Sequence, residues 1–263
     1  MDAKQLYTSG DLKGAVAAVT QQVKSRPTDL AARTLLFELL AFSGELDRAE
    51  KQLEAVGQLD NKAEWAVQVY TNLLAAERNR RRVFNEGLKP EFLLDPPAWV
   101  HEHLAAIGRL RENHGSQASE ALDKAADMYP SLSGEADGRP FDDLRDCDDL
   151  LGPMLEIMIL RDYIWLPLEQ VRSIEITPPE RPRDLVWIPI RLVLIDETQR
   201  SGYMPVLYNG SHESGDDQLR LGRLTDWTNS DGGPTRGLGM RTLLVGDEAM
   251  GILELGNVSI NAR

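Results

Sequence analysis

The chain has 263 residues, 42% of them apolar and 27% charged, and a net charge of −13 from 29 basic and 42 acidic side chains. Such an acidic balance disfavours nucleic acid and anionic membrane surfaces, because a long-range repulsion would have to be overcome, and it suits a basic protein partner. No apolar run approaches the roughly 20 residues of a membrane helix. The opening MDAKQLYTSGD lacks the apolar core of a signal peptide. The single cysteine, Cys147, cannot form an internal disulfide and sits among Asp146, Asp148 and Asp149, which disfavour a thiolate. A cytoplasmic location is expected.

From the N-terminus, SGDLKGAVAAV and SGELDRAEKQL align with a constant offset of 34: Gly10 with Gly44, Leu12 with Leu46, Ala15 with Ala49, Val19 with Leu53. That period and those residue types form the tetratricopeptide signature. Glycine opens the turn between antiparallel helices, alanine lets them cross closely, and the larger apolar residue fills the space between them. A third copy places Ala118, Leu122, Ala125 and Pro130 at an offset of 103 from Ala15, Val19, Gln22 and Pro27. Between them, Trp65, Val69, Leu73 and Ala76 recur at the spacing of one helix face. The spacing predicts seven helices, over 3–9, 12–25, 28–42, 45–56, 62–84, 98–113 and 117–128.

Arrays of this kind curve and present an inner surface built from the first helix of each pair. Carrying the register across places Thr34, Glu38, Gln68, Asn72 and His103 on that surface, as candidate partner-binding residues. The bland alternative is an array whose inner face is filled by the second half of the chain. The cluster RNRRR (78–82) falls at a helix end, where cations suit the dipole. Without interleaved aromatic residues it points to an acidic partner protein rather than nucleic acid.

The net charge changes from −3 over residues 1–130 to −10 over 131–263, which supports a boundary near 130. The stretch PSLSGEADGRPF (130–141) reads as a linker. In DDLRDCDDLLGPMLEIMIL the aspartates precede an apolar stretch expected to be helical, where they suit the N-terminus. Calcium is disfavoured there, because a calcium loop begun at Asp146 would have Leu151 where Gly is needed and Ile157 where Glu is needed. Beyond residue 161 the segments are short, apolar or alternating, and separated by turn residues, which is strand chemistry. Two of them share a phrase, DYIWLPL (162–168) and DLVWIPI (184–190). In a strand each Trp lies on the same face as the Pro two residues on. Proline is tolerated at sheet borders or bulges, so the echo predicts two border strands, each pinned by a buried indole.

Catalytic signatures do not assemble. His101 and His103 are two apart, not the four a zinc-protease helix needs. His212, in NGSHES, lacks the Gly-x-Ser-x-Gly elbow. The glycine-rich 231–241 lacks the Gly-Lys-Ser/Thr of a phosphate loop and reads as a mobile loop rather than an anion nest. No catalytic residue, metal site or cofactor is expected. The rival reading is an enzyme with its chemistry around Asp226, His212 and the glycine-rich loop.

The run of motifs RPFDDLRDCDDLLGPMLE, YIWLPLEQV, ERPRDLVWIPIRL, MPVLYNGS, LRLGRLTDW and RGLGMRTLLVGDE, spanning most of 139–248, resembles the ImpE/SciE family, also called TagJ, of accessory proteins in bacterial type VI secretion. The resemblance implies a non-enzymatic cytoplasmic adaptor. Its implied partners are the small subunit of the contractile sheath and the Clp-type ATPase that dismantles contracted sheath. A tetratricopeptide scaffold for an unrelated complex is the remaining alternative. The expected fold is α+β, with a tetratricopeptide-like α-α superhelix over 1–130 followed by a mainly β domain over 131–263.

Overall fold

Seven helices fill the first half of the computed structural model, which describes residues 1–229 and 232–261. They are α1 (Ala3–Ser9), α2 (Leu12–Ser25), α3 (Leu30–Phe42), α4 (Leu46–Leu59), α5 (Glu64–Glu86), α6 (Trp99–Arg111) and α7 (Gly115–Ala126). The repeat residues do what their spacing predicts. Leu12, Ala15 and Val19 are buried, as are Leu46, Ala49 and Leu53, and Ala118, Leu122 and Ala125. Gly10 and Gly44 turn the chain at φ +91° and +73°. The corresponding position before α7 is Asn113, at φ +60°. Asparagine is the side chain that best tolerates this left-handed conformation after glycine, so the third repeat keeps the turn while losing its glycine.

The second half is built of β1 (Gly134–Ala136), β2 (Arg139–Phe141), β3 (Leu144–Asp146), β4 (Met154–Ile159), β5 (Asp162–Pro167), β6 (Val171–Ile176), β7 (Trp187–Leu194), β8 (Gln199–Pro205), a short helix α8 (Asp217–Arg220), β9 (Thr225–Asn229), β10 (Thr235–Gly239), β11 (Thr242–Val245), β12 (Glu248–Gly251) and β13 (Asn257–Ile260). Eight strands form one antiparallel sheet in the order β2-β1-β13-β6-β7-β8-β4-β5. Three more form β12-β11-β3, and β9 pairs with β10. The large sheet has two buried faces. Ile188, Ile190, Leu155 and Ile157 point into a core shared with Leu144 and Leu243 of the smaller sheet. Trp165, Trp187, Met154 and Met158 point the other way and share one continuous core with the helices.

Three sequence expectations are corrected. The stretch 150–160 is not a helix but β4, buried on both sides. A strand covered on both faces loses its alternation and reads like a buried helix. The expected linker over 130–141 folds from Gly134 into the β1–β2 hairpin, turned by Asp137 and Gly138 with φ of +49° and +78°. This Asp-Gly pair is a hairpin signal in its own right. In the glycine-rich stretch, Asp231 lies outside the described residues, and Thr235–Gly239 is a paired strand rather than a loop.

The Trp-x-Pro echo is a structural device used twice, with one difference from expectation. Strand β5 is indeed a border. Its outer edge is met by the connection after α5, where Glu91 N–H donates to Tyr163 O and Trp165 N–H donates to Glu91 O, both at 3.0 Å. Strand β7 is interior, between β6 and β8. Pro189 is accommodated there because the β6 ladder ends at Ile176–Ile190. Its carbonyl accepts from Thr177 N–H at 3.0 Å, so its nitrogen faces the place where β6 has finished.

Candidate functional site

Helix α5 meets the sheet through charge. Glu156 of β4 shares a face with Met154 and Met158, so the strand period aims its carboxylate at the helices. Arg80 donates to it twice, Nε to Oε1 at 2.7 Å and Nη2 to Oε2 at 3.1 Å. Arg241 and the Tyr163 hydroxyl donate to the same carboxylate. Arg80 Nη2 also donates to Leu207 O at 2.9 Å. Arg241 continues the network to Asp146 at 3.0 Å and to Pro205 O at 3.1 Å. The Tyr208 hydroxyl donates to Asp146 Oδ1 at 2.8 Å. Glu156 and Arg241 are 0% exposed and Arg80 3%.

Burial pushes the Glu156 carboxyl up, but the guanidinium groups of Arg80 and Arg241 more than offset it and hold the group down at about 2. Asp146 goes the other way, to about 7, because burial outweighs its one close arginine. The arrangement binds the two halves; its Asp146 end borders a cavity of about 230 Å³ with Tyr129, Asp149 and Gly233, whereas its Glu156 end has little open space. The cavity beside it, bordered by Glu77, Arg81 and His212, is about 20 Å³, room for roughly one water. Asp226 is not among its walls, so the residues of the enzyme reading are not gathered there. Burial raises the Cys147 thiol to about 11, with Asp146 adding to it.

The basic cluster is used internally. Arg78 pairs with Asp47 and Glu50 at 2.8 and 2.6 Å, Arg81 donates to Gly44 O at 2.9 Å, and Arg82 pairs with Glu86 at 3.0 Å. Arg80 is committed to Glu156, whereas the Arg78 and Arg82 side chains stay 32% and 50% exposed.

The five expected partner-binding residues separate into two groups. The inner helical face does not stand open, and this corrects two of them. Glu38 is 4% exposed and accepts from Arg183 at 3.1 Å, in the 3₁₀ turn before β7. Burial raises its carboxyl to about 7, with Arg183 opposing. His103 is 0% exposed. Its Nδ1 donates to Leu150 O at 2.9 Å, and its Nε2 accepts from the Tyr129 hydroxyl at 2.6 Å. Burial lowers this imidazole to about 4, so it is neutral in the fold. Both residues hold the sheet half onto the array. Thr34 is half-buried and donates to Leu30 O at 2.9 Å. Gln68 and Asn72 are linked at 3.0 Å on the accessible side of α5.

Asn72 also lines a groove of about 360 Å³ between α5 and the sheet. Trp65 and Val69 form its helix wall, and Leu160, in the β4–β5 turn, closes the far side. The sequence signal for this groove was the stripe Trp65–Val69–Leu73–Ala76, which periodicity alone assigns to core. Leu73 and Ala76 are core, whereas Trp65 is 77% exposed.

Comparison with known proteins agrees with this architecture. The ImpE protein family matches residues 138–259, and a tetratricopeptide repeat matches 6–77. The type VI secretion system accessory component TagJ of Pseudomonas aeruginosa is 38% identical over 230 residues, which cover 88% of this chain and 82% of that protein. A crystal structure of a Vibrio parahaemolyticus protein superposes with a TM-score of 0.92 at 25% identity, over 99% of this chain and 98% of that one. With a relative this similar along nearly the whole length, and the family's own segment spanning the strand-built half, the chain belongs to the ImpE family.

Proposed function

We propose that this protein is a non-enzymatic adaptor of a bacterial type VI secretion apparatus, acting in the cytoplasm. It holds the small subunit of the contractile sheath and links it to the Clp-type ATPase that dismantles contracted sheath. The family relationship supports the system, since the Pseudomonas aeruginosa relative is an accessory component of type VI secretion. The observation that carries the adaptor reading is the joint between the halves. Its charged groups are saturated by one another around Glu156, and the space beside them is about 20 Å³, too small for a substrate. Thr34, Gln68 and Asn72 are the proposed partner contacts, while Glu38 and His103 serve by fixing the joint from inside.

Co-purification tests this directly. The tagged protein retains the purified small sheath subunit of the same organism, and the pair retains the Clp-type ATPase. Absence of the sheath subunit from the eluate at micromolar concentrations overturns the proposal.

A further inference from the structure

We propose that the open cleft between the start of α4 and the last turns of α5 is a further binding site, and that it takes the neighbouring carboxylates of an acidic peptide segment on a partner protein. It stands apart from the joint between the halves and does not depend on the sheath subunit being a partner.

The sequence brings the cations together. Arg78, Arg81 and Arg82 of the RNRRR cluster lie three and four residues along from the first of them, so one face of α5 carries all three. The repeat turn at Gly44 sets Arg48 of α4 beside them, and the cleft they line is about 570 Å³. Its walls hold four arginines against three carboxylates, Glu45, Asp47 and Glu86, a local excess of +1 on a chain that carries −13. The positive end of the α4 dipole adds to that excess. The arginines are unequally engaged. Arg78 is shared between Asp47 and Glu50. Arg48 and Arg82 are half-exposed, and each pairs with a single carboxylate three or four residues away, Glu45 and Glu86. Exposed pairs of that kind are worth about 0–1 kcal/mol and give way to a better-held anion. Among the described residues, Arg81 has no carboxylate closer than Glu77, at 3.5 Å, and its buried Nε has no hydrogen-bond acceptor.

The first repeat shows what such a place holds. The offset of 34 equates Leu46 and Asp47 with Leu12 and Lys13. At the start of α2 the amides of Leu12 and Lys13 donate to one carboxylate oxygen of Asp217, at 2.8 and 3.2 Å, and Arg220 donates to the other at 3.0 Å. A helix start and an arginine together clasp a carboxylate brought from the far half of the chain. In the second repeat the helix start and the arginines recur, and α4 has no side-chain cap among the described residues. Every wall of this cleft comes from the helical half. The carboxylate that Asp217 supplies to α2 must here come from another molecule.

The walls select the class of occupant. Seven of the nine lining residues are charged and none is aromatic, unlike the apolar lining of a small-molecule pocket or the stacking platform of a nucleic-acid site. From Arg78 to Arg82 the row extends about 6 Å along the helix. A run of neighbouring aspartates or glutamates spans that row, whereas a lone phosphate meets only part of it.

The test is an NMR titration of the isotope-labelled full chain with a blocked peptide carrying three consecutive aspartates. The peptide is expected to shift the amides of Leu46 and Asp47, with an affinity that falls as salt rises. The same peptide with asparagines is expected not to bind. Arg48→Gln combined with Arg82→Gln, at two exposed positions, is expected to weaken binding about tenfold or more with an unchanged melting temperature. Arg109→Gln combined with Arg139→Gln removes the same charge from exposed ion pairs elsewhere. That control is expected to bind within about twofold of wild type, since distant exposed charges are screened. An equal loss in both double variants makes the effect one of overall charge and overturns the inference. Absence of binding at millimolar peptide overturns it too, as does binding that leaves Leu46 and Asp47 unmoved. Inorganic phosphate that shifts the same amides at lower concentration than the aspartate peptide assigns the cleft to a phosphate ligand and overturns the acidic-peptide occupant. Each of these failures leaves the adaptor reading standing, because co-purification with the sheath subunit tests that separately.

Discussion

Arg80 of α5 and Glu156 of β4 form a two-pronged ion pair, 2.7 and 3.1 Å, sealed from solvent at the joint between the helical and strand-built halves. The pair explains why the middle of an arginine-rich cluster points inward. It also ties the array and the sheet together energetically, because the nearest carboxylate to Arg80 lies in the other half, at 2.7 Å, whereas Glu77 of its own helix is 3.5 Å away.

Removing one side of this pair leaves the other buried charge only partly compensated, Glu156 by Arg241 or Arg80 by Glu77. Arg80→Met and Glu156→Gln are each expected to destabilise the protein by about 3–5 kcal/mol. Urea unfolding followed by fluorescence measures it. In a double-mutant cycle the combined cost falls short of the sum, because both changes act on one network.

The two indoles of the repeated phrase are placed for packing. Trp165 and Trp187 are both fully buried on the helix-facing side of the sheet. Substitution of either by alanine is expected to cost about 3–5 kcal/mol through reduced burial and the cavity left behind. Trp165→Phe costs less, since an aromatic ring still fills most of the site and the polar change is confined to the indole N–H that donates to the Tyr163 hydroxyl at 2.7 Å. Thermal unfolding of the three variants gives the order.

The turn positions of the repeats are expected to respond unequally. Gly44→Ala forces a Cβ into φ +73° and against the His212 ring, at a cost of about 1–2 kcal/mol from the backbone alone. Asn113→Gly is expected to be neutral or mildly stabilising, because that backbone already sits at φ +60°. Matched denaturation curves decide it.

Glu38 gives the joint a pH dependence. Its folded carboxyl is raised to about 7 from an ordinary 4.5. Between those values the folded state binds more proton than the unfolded state, so stability falls as pH rises. The contribution is complete below about 4.5 and lost above about 7. Glu38→Gln is expected to flatten this part of the slope, measured as unfolding free energy at pH 5, 6 and 7. An undiminished slope in the variant shows that Glu38 is not its source.

Much of the helical half was legible residue by residue. The offset of 34 located both glycine turns and the alanines between crossing helices, since these contacts are made within a single hairpin or its neighbour. The family resemblance and the strand chemistry after residue 161 were legible too. The segment that became β4 misled, because full burial erases the alternation that announces a strand. The groove misled in the opposite sense. Trp65 carries the spacing of a core residue, and nothing local shows that the sheet fails to reach it.

The repeats, the turns and the two indole-bearing strands follow from the sequence itself, because their partners lie a few residues or one hairpin away and periodicity records them. Which face of the array would be covered, and by what, was decided only by the tertiary structure. Glu38 meets Arg183 across 145 residues and Arg80 meets Glu156 across 76. Pairings at such separations depend on how the whole sheet settles against the helices, and no local spacing of residue types encodes that.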